Sequence, residues 1–183
     1  MFLDVRKNGY QGLRADKVIA GMDITKGALY HYFANKQAIG AAIIDELIRP
    51  RYLHFFQELA ASSGNPIDKM QEHLRALSGF ATEEDIALGC PLNNLVQEMS
   101  PIDEDFRLRM KSIVDEIHTC TIEALRRGQA AGLVRANVVV EQIAQFFFAG
   151  IEGAYSTAKV RKDCTAFQNN MLVLSAFLDT LRK

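Results

Sequence analysis

The apolar residues of this chain recur at helical spacing almost from end to end, while glycine and proline are scarce. A first stretch has the i, i+3, i+4, i+7 spacing that places side chains on one face of a helix: Ala15, Val18, Ile19 and Met22. Thr25 can cap a second short helix running to about Tyr32, because its hydroxyl can accept a hydrogen bond from a first-turn amide. The pattern predicts two short helices separated by a tight turn.

Asn35 can cap a third helix, whose apolar pattern continues to about residue 61. Pro50 lies inside this pattern. Proline lacks an amide hydrogen and its ring clashes with the carbonyl four residues earlier, so we expect a kink near Glu46 to Pro50. It can be either a hinge or a fixed bend. The segment Ser62 to Pro66 is the clearest break in the chain.

Five further helical patterns follow this break, and no segment alternates as a strand would. The longest covers residues 103–131, and Gly132 is a natural C-cap for it. The last two cover about 138–159 and 164–182. The sequence therefore predicts an all-α protein with a helix-turn-helix unit, residues 1–45, joined by a long helix to a larger helical domain, residues 46–183.

Composition narrows the class of function. The 183 residues are 49% hydrophobic and 23% charged, with a net charge of −1, as in an ordinary soluble protein. Residues 1–45 carry a mild excess of basic side chains. The three cysteines lie far apart without a C-x-x-C pair, which argues against disulfides and zinc and suits a reducing cytosol. No leader or membrane span is apparent, so we expect a cytoplasmic protein.

Catalytic signatures are missing from the sequence. No histidine has a glutamate three residues before it, as a carboxylate di-metal bundle requires. H-E-x-x-H, P-loop and G-x-S-x-G motifs are also absent. We therefore expect no enzymatic activity, no metal site and no cofactor.

Two short helices joined by a tight turn describe a helix-turn-helix. At about 100° per residue, Leu29 and Phe33 lie on one side of the second helix. The residues that point away are small or carry a polar-tipped ring: Gly27, Ala28, Tyr30 and His31. Small residues allow close approach, and the rings can donate hydrogen bonds to phosphates. Lys36 lies in the first turn of the next helix, where a cation and free amides can hold a phosphate together.

Residues Gly9 to Ile39 resemble the DNA-binding domain of TetR-family repressors. The family pattern runs from G-Y through an I-A-containing helix to V-S-K-G-[TS]-L-Y-x-[HY]-F, and this chain has ITKGALYHYF at that place. The resemblance implies a homodimer that binds a two-fold-related operator in double-stranded DNA. It also implies that the following residues face the DNA: Thr25, Lys26, Gly27, Tyr30, His31, Tyr32 and Lys36.

Three positions depart from the family pattern. Relatives have a hydroxyl residue that caps the first helix of the motif and contacts a phosphate, whereas this chain has Arg14, which can supply a charge but not the cap. Asp23 replaces the turn glycine, and aspartate tolerates turn conformations. Only seven residues precede Asn8, so the first helix, with Phe2 and Val5, is expected to be shorter than in relatives.

In this family a small molecule enters the helical domain and respaces the DNA-binding domains, so the resemblance implies a small-molecule effector. Candidate contacts are residues of the predicted inner faces, each of which also fits an ordinary core position: Phe80, Cys90, Leu92, Asn94, Gln97, Met99, His118 and Phe147. Cys90 stands at a loop-to-helix junction, where a helix N-terminus lowers the pKa of a thiol. It fits either a reactive sensor or a small buried hydrophobe.

The last two helical patterns are apolar on more than one side, which fits either a dimer face or the core of one subunit. Small residues beside bulky ones let helices approach closely, and the family pairs these helices with those of a second subunit. Our candidates for a dimer interface are Ala149, Gly153, Phe167, Leu174, Phe177, Leu178 and Leu181.

The sequence thus predicts a ligand-responsive transcriptional repressor that binds DNA as a homodimer. The alternative is a helical module for a small molecule or a protein partner that has lost strong DNA binding. If the second helix of the motif had lost its DNA-binding role, we would not expect it to keep Lys26, Gly27 and Tyr30 together, which argues against this alternative.

Overall fold

The computed structural model describes all 183 residues, and its helices confirm the predicted all-α class. The only extended pairing is an isolated bridge between Val134 and Arg182. No helix combines the length and the apolar character that crossing a bilayer requires. The elements are α1 (Phe2–Asn8), α2 (Ala15–Ile19), α3 (Lys26–Tyr32), α4 (Lys36–Ala42), a π-helical segment (Ile43–Ile48), α5 (Arg49–Ala61), α6 (Pro66–Phe80), α7 (Glu83–Leu88), α8 (Pro91–Met99), α9 (Glu104–Ala130), α10 (Val140–Arg161) and α11 (Cys164–Asp179).

The chain forms two compact units, and neither is one continuous segment. The first unit comprises Met1–Arg51 and Pro91–Ser112, and the second comprises Tyr52–Cys90 and Ile113–Lys183. Helix α8 and the start of α9 therefore belong with the N-terminal helices. The division into residues 1–45 and 46–183 drawn from the sequence did not group them this way, because helical periodicity does not reveal contacts between distant segments.

Side-chain caps start the helices at the positions that local sequence predicts. The hydroxyl oxygen of Thr25 accepts a hydrogen bond from the amide of Ala28 at 3.1 Å, and Asn35 Oδ1 accepts one from the amide of Ala38 at 2.8 Å. Both predicted caps are confirmed. After the C-terminal end of α9, Gly132 has a φ of +72°, and the amide of Leu133 donates to the carbonyl of Gly128 at 2.8 Å. This is a Schellman motif, as the glycine indicated.

The irregularity expected around Pro50 is present as a π-helical segment, Ile43–Ile48. The amide of Arg49 donates to the carbonyl of Ile44, five residues earlier. A proline two residues after the segment cannot donate to the carbonyl of Glu46, and its ring would crowd that carbonyl in α-helical geometry. The wider turn relieves this conflict without ending the helix.

Two aromatic rings and a glycine form the central contact of the first unit. The Tyr10 and Phe106 rings lie 4.5 Å apart between centroids, and both rings lie against Gly40 of α4. A Cβ at position 40 would come within 2.3 Å of the Phe106 ring and 2.6 Å of the Tyr10 ring. Glycine is therefore required here by the close approach of the rings.

In the second unit, α11 packs between α6 and α10. Toward α6, Gln71 donates to the carbonyl of Ser175 at 3.0 Å, and Gln168 donates to that of Ser78 at 3.4 Å. Toward α10, the side chain of Leu174 covers Gly150, again at a distance that leaves little room for a larger residue. Both sides of α11 are thus used within the subunit.

Replacing Gly40 by alanine should destabilise the protein although alanine is the better helix former. The new methyl group must displace two packed rings, which costs on the order of 1–3 kcal/mol and outweighs the helical gain of roughly 0.5–1 kcal/mol. Urea unfolding of Gly40→Ala and of the control Gly79→Ala measures this, because nothing lies within 4 Å of a Cβ at position 79. Equal or greater stability of Gly40→Ala would contradict the packing described.

Candidate functional site

Helix α3 presents one buried and one exposed face, and the exposed face carries the predicted DNA contacts. Leu29 is buried, and Phe33 at the C-terminal end of the helix is half-buried. Tyr32 is 82% exposed, and its ring lies edge-on to that of His31 at 5.6 Å. The exposed residues are Lys26, Gly27, Ala28, Tyr30, His31 and Tyr32. Their polar side-chain groups make no hydrogen bond within the subunit.

Three further predicted contacts flank α3. Thr25 is exposed, and its oxygen is occupied by the cap, which leaves its hydroxyl proton able to donate. Arg14 is exposed and makes no side-chain cap for α2, in agreement with the loss of the hydroxyl cap. Lys36 is half-buried; its ammonium donates to the carbonyl of Gln11 at 2.9 Å and lies 5.1 Å from the Tyr10 ring centroid. An ammonium has three protons, so Lys36 keeps donors for a phosphate.

Buried Tyr10 is hydrogen-bonded to the first residue of α4. Its hydroxyl donates to the carbonyl of Lys36 at 3.0 Å. Burial raises the pKa of Tyr10 to about 12, and the charges of Asp103 and Glu98 act in the same direction. The hydroxyl therefore stays protonated and keeps donating at any physiological pH.

The eight candidate effector contacts are distributed over both units. Cys90, His118, Phe147 and Phe80 belong to the second unit; the four others, Leu92, Asn94, Gln97 and Met99, belong to the first. Leu92, Met99 and Phe147 are buried core residues, and Gln97 is exposed. Phe80 is 83% exposed at the end of α6, so the prediction that it lies on an inner face is corrected. Phe80 is the last residue of α6, and an amphipathic pattern is a weaker guide to burial at the end of a helix than in its middle.

A buried polar cluster surrounds Cys90 in the second unit. The Cys90 thiol is 1% exposed and donates to Glu152 Oε1 at 3.2 Å, while the Tyr52 hydroxyl lies 2.8 Å from the sulfur. With the thiol proton directed to the carboxylate, the hydroxyl is the donor to sulfur. Glu152 Oε2 is buried without a hydrogen-bond partner. Sequence reasoning missed Tyr52 and Glu152, because only the fold brings α5 and α10 to Cys90.

Burial also sets the charge of this cluster. It raises the pKa of Glu152 to about 7, although the hydrogen bond from Cys90 opposes the shift. Near neutral pH the carboxyl group is therefore shared between its protonated and ionised forms. A carboxyl group with one unpaired buried oxygen is a place where a polar ligand group would gain a hydrogen bond.

An open groove of about 540 Å³ lies between α5 and α6 in the same unit, and none of the eight candidates lines it. Its wall includes His73, whose ring stacks on Phe55 at 3.7 Å with an interplanar angle of 5°. Burial lowers the pKa of His73 to about 4, so the imidazole is neutral at physiological pH. His118 lies elsewhere, edge-on to Phe148 at 6.0 Å.

The outward side of α10 and α11 carries an apolar surface, which we call the α10–α11 surface. Val160 and Val173 are 86% and 70% exposed, and the small residues Ala149, Gly153 and Ala176 are exposed on the same two helices. The surface consists of Phe146, Ala149, Gly153, Val160, Leu172, Val173 and Ala176. Ala149 and Gly153 were among the interface candidates.

The other interface candidates do not lie on this surface. Four of them are buried within the subunit and cannot contribute contact area to a partner: Phe167, Leu174, Leu178 and Leu181. Phe177 is half-buried against Phe146 at 5.0 Å. The prediction is corrected for the four buried residues, because α11 is apolar on several sides and its sequence does not say which side faces α6 and α10. Phe177 stays an interface candidate.

Comparison with protein families assigns both parts of the chain. The family described as "Bacterial regulatory proteins, tetR family" matches residues 6–43, and "Tetracyclin repressor-like, C-terminal domain" matches residues 66–174. The first match contains the exposed face of α3. The second contains Cys90 and Glu152, but not Tyr52, of the Cys90 cluster, together with most of the α10–α11 surface.

Individual relatives agree with this assignment. The transcriptional regulator AcuR of Cereibacter sphaeroides is 28% identical over 156 residues, which are 84% of this chain and 70% of that protein. The transcriptional repressor DhaR of a Mycobacterium species is 24% identical over 161 residues, covering 86% and 77%. The crystal structure of a TetR regulatory protein from Rhodobacter sphaeroides has a TM-score of 0.79 and 25% identity over 96% of this chain and 93% of that one.

Glu152 should make the free energy of unfolding depend on pH. Because its folded pKa of about 7 exceeds that of an ordinary glutamate, the folded state holds the proton more tightly than the unfolded state. The stabilising contribution is complete below about pH 4.5 and is lost as pH rises to about 7, on the order of 3 kcal/mol.

The uncharged variant Glu152→Gln lacks this titration, so its stability relative to the wild type should rise across that window. Urea unfolding of both proteins at each pH measures the difference, in which the contribution of His73 cancels. A difference that stays constant from pH 4.5 to 8 would show that Glu152 keeps an ordinary pKa.

Proposed function

Because the chain belongs to the TetR family of bacterial regulatory proteins, we propose that it is a ligand-responsive transcriptional repressor that binds a two-fold-related operator as a homodimer. Proteins of this family are DNA-binding transcriptional regulators and not enzymes. The observation that carries the proposal is the exposed face of α3, whose polar groups make no hydrogen bond within the subunit.

The chemistry of that face suits a DNA backbone and groove. Lys26 supplies a full positive charge, and the hydroxyls of Tyr30 and Tyr32 supply neutral donors for phosphate oxygens. Gly27 and Ala28 add almost no bulk, so the helix can approach the DNA closely. A Cβ at Gly27 would meet nothing but Thr25 Oγ1 at 3.9 Å, so no contact within the subunit requires this glycine.

Removing the charge of Lys26 should weaken operator binding in a salt-dependent way. A dimer that loses one phosphate contact per subunit should bind at least tenfold more weakly, and its slope of log affinity against log salt should fall by about two. Fluorescence anisotropy with the DNA upstream of the chain's own coding sequence, at several stated salt concentrations, compares Lys26→Ala with Lys69→Ala. Lys69 lies in the second unit beside Glu72, and its loss should change neither quantity.

The same titrations separate the repressor from the alternative. A wild-type chain that binds no DNA even at low salt would favour a helical module for a small molecule or a protein partner. Equal affinities and slopes for the two lysine variants would contradict the assignment of α3 as the reading helix.

The α10–α11 surface supports the homodimer. Exposed apolar area of this kind on a regulator fits a partner helix pair, because the small Ala149, Gly153 and Ala176 let helices approach. A two-fold axis would bring α10 and α11 of each subunit together into four packed helices. The same axis would relate the two α3 helices to the two halves of an operator.

A charge on this surface should separate the subunits. Val173→Glu would place a carboxylate in the interface, and a buried unpaired charge costs several kcal/mol. We expect sedimentation to show a monomer that remains helical and binds the operator at least tenfold more weakly. Leu108→Glu, on an exposed apolar residue of the first unit, is the control and should stay dimeric. A dimeric Val173→Glu variant would place the interface elsewhere.

We further propose that the effector contacts the second unit at the Cys90 cluster. Glu152 Oε2 offers a buried, unpartnered carboxyl oxygen to a polar group of the ligand. Cys90 offers a thiol, as either a contact or a reactive group. The effector can weaken DNA binding only by the factor by which it binds the state without DNA affinity more tightly than the DNA-binding state.

A further inference from the structure

A carboxylate of α8 holds the loop that joins α1 to α2. Glu98 Oε2 accepts a hydrogen bond from the amide of Tyr10 at 2.9 Å, and Oε1 accepts one from the amide of Gln11 at 2.7 Å. Both oxygens are thus used on successive backbone amides 87 and 88 residues away in sequence. Such charge-assisted bonds are about twice as strong as neutral ones.

The shape of the loop is matched to this carboxylate. Gly9 has a φ of +74°, which L side chains rarely adopt. A Cβ at this position would lie 2.9 and 3.0 Å from the two oxygens of Glu98. The glycine therefore provides both the turn and the space in which the carboxylate reaches the two amides. We call the contact of Glu98 with residues 9–11 the loop clasp.

The clasped loop in turn holds the helix that follows α3. The carbonyl of Gln11 accepts a hydrogen bond from the ammonium of Lys36, and the hydroxyl of Tyr10 donates to the carbonyl of Lys36. Lys36 is the first residue of α4, four residues after Tyr32, the last residue of α3. Hydrogen bonds thus link Glu98 to the loop before α2, and that loop to Lys36 at the start of α4, so the contacts reach both sides of the helix-turn-helix motif.

We infer that Glu98 is a positioning residue for DNA binding, which orients α3 by holding residues 9–11 without itself contacting DNA. The inference rests on the proposed function. It predicts the opposite change in DNA affinity from the one that simple electrostatics predicts for a Glu98 variant without the charge. Removing a negative charge from a DNA-binding unit should strengthen binding to phosphates, whereas loss of the loop clasp should weaken it.

The variant Glu98→Gln tests this sign. Its amide oxygen can accept from one loop amide, but its NH₂ group would face the other donor. We expect operator affinity to fall at least tenfold while the thermal unfolding midpoint stays within a few degrees of the wild type. The control is Glu104→Gln, which removes an exposed carboxylate, paired only with Arg107 of its own helix, from α9 in the same unit and should bind as well as, or slightly tighter than, the wild type.

Amide hydrogen exchange measures the loop clasp without DNA. In Glu98→Gln the amides of Tyr10 and Gln11 should exchange at least tenfold faster, while that of Leu125 in the core of the second unit should not change. Should Glu98→Gln fail to fold, Glu98→Asp keeps the charge but shortens the reach, and both measurements should move in the same direction.

The outcomes separate the inference from the proposed function. Operator affinity of Glu98→Gln equal to or above that of the wild type, or unchanged exchange at Tyr10 and Gln11, would overturn the positioning role while leaving the repressor intact. Wild-type protein that binds no DNA would overturn the proposed function, and the DNA role of Glu98 with it. Weaker binding together with faster exchange, both specific to Glu98, supports the inference.

Discussion

The packing of the Tyr10 and Phe106 rings over Gly40 is the contact on which the first unit depends. Helices α1 to α4 have seven, five, seven and seven residues, and helices this short are marginal on their own in water. Their geometry must therefore come from tertiary contacts. The rings provide the apolar part, while the loop clasp by Glu98 satisfies backbone amides that no helix uses. Together they allow α3 to leave an entire face unused inside the subunit.

The second unit likewise has one set of residues that packs its core and another set that stays exposed. Residues that stabilise the subunit, such as Phe147 and Phe167, are buried, whereas Val160 and Val173 remain exposed on the α10–α11 surface. The Cys90 cluster is the exception, because it buries a carboxyl group with one unpartnered oxygen. Such an arrangement lowers stability unless the group is protonated or finds a partner. Protonation of Glu152, or a hydrogen bond to its free oxygen, therefore stabilises the folded second unit.

Features governed by neighbouring residues could be predicted from the sequence. Thr25 and Asn35 cap their helices, Gly132 ends α9 and Pro50 disturbs its helix, because each effect acts within about one turn. Features set by distant contacts could not. Nothing around Glu98 indicates that it meets a loop near the N-terminus, and nothing around Glu152 indicates Cys90. For α11, apolar residues on several sides left Leu174 and Leu172 equivalent in the sequence, although the fold buries one and exposes the other.

The π-helical segment imposes a constraint on chain length. The buried residues along this stretch are Ile43, Ile44, Ile48, Leu53, Phe56 and Leu59, and the step of five from Ile48 to Leu53 is longer than an α-helical turn. The segment thus acts as a one-residue insertion that resets the phase of the helix. Deleting one residue here would restore regular winding but turn every later side chain by about 100° around the axis. Leu53 and Phe56 would then leave the buried side, so this segment constrains the number of residues between α4 and α5 as well as the identity of its buried isoleucines.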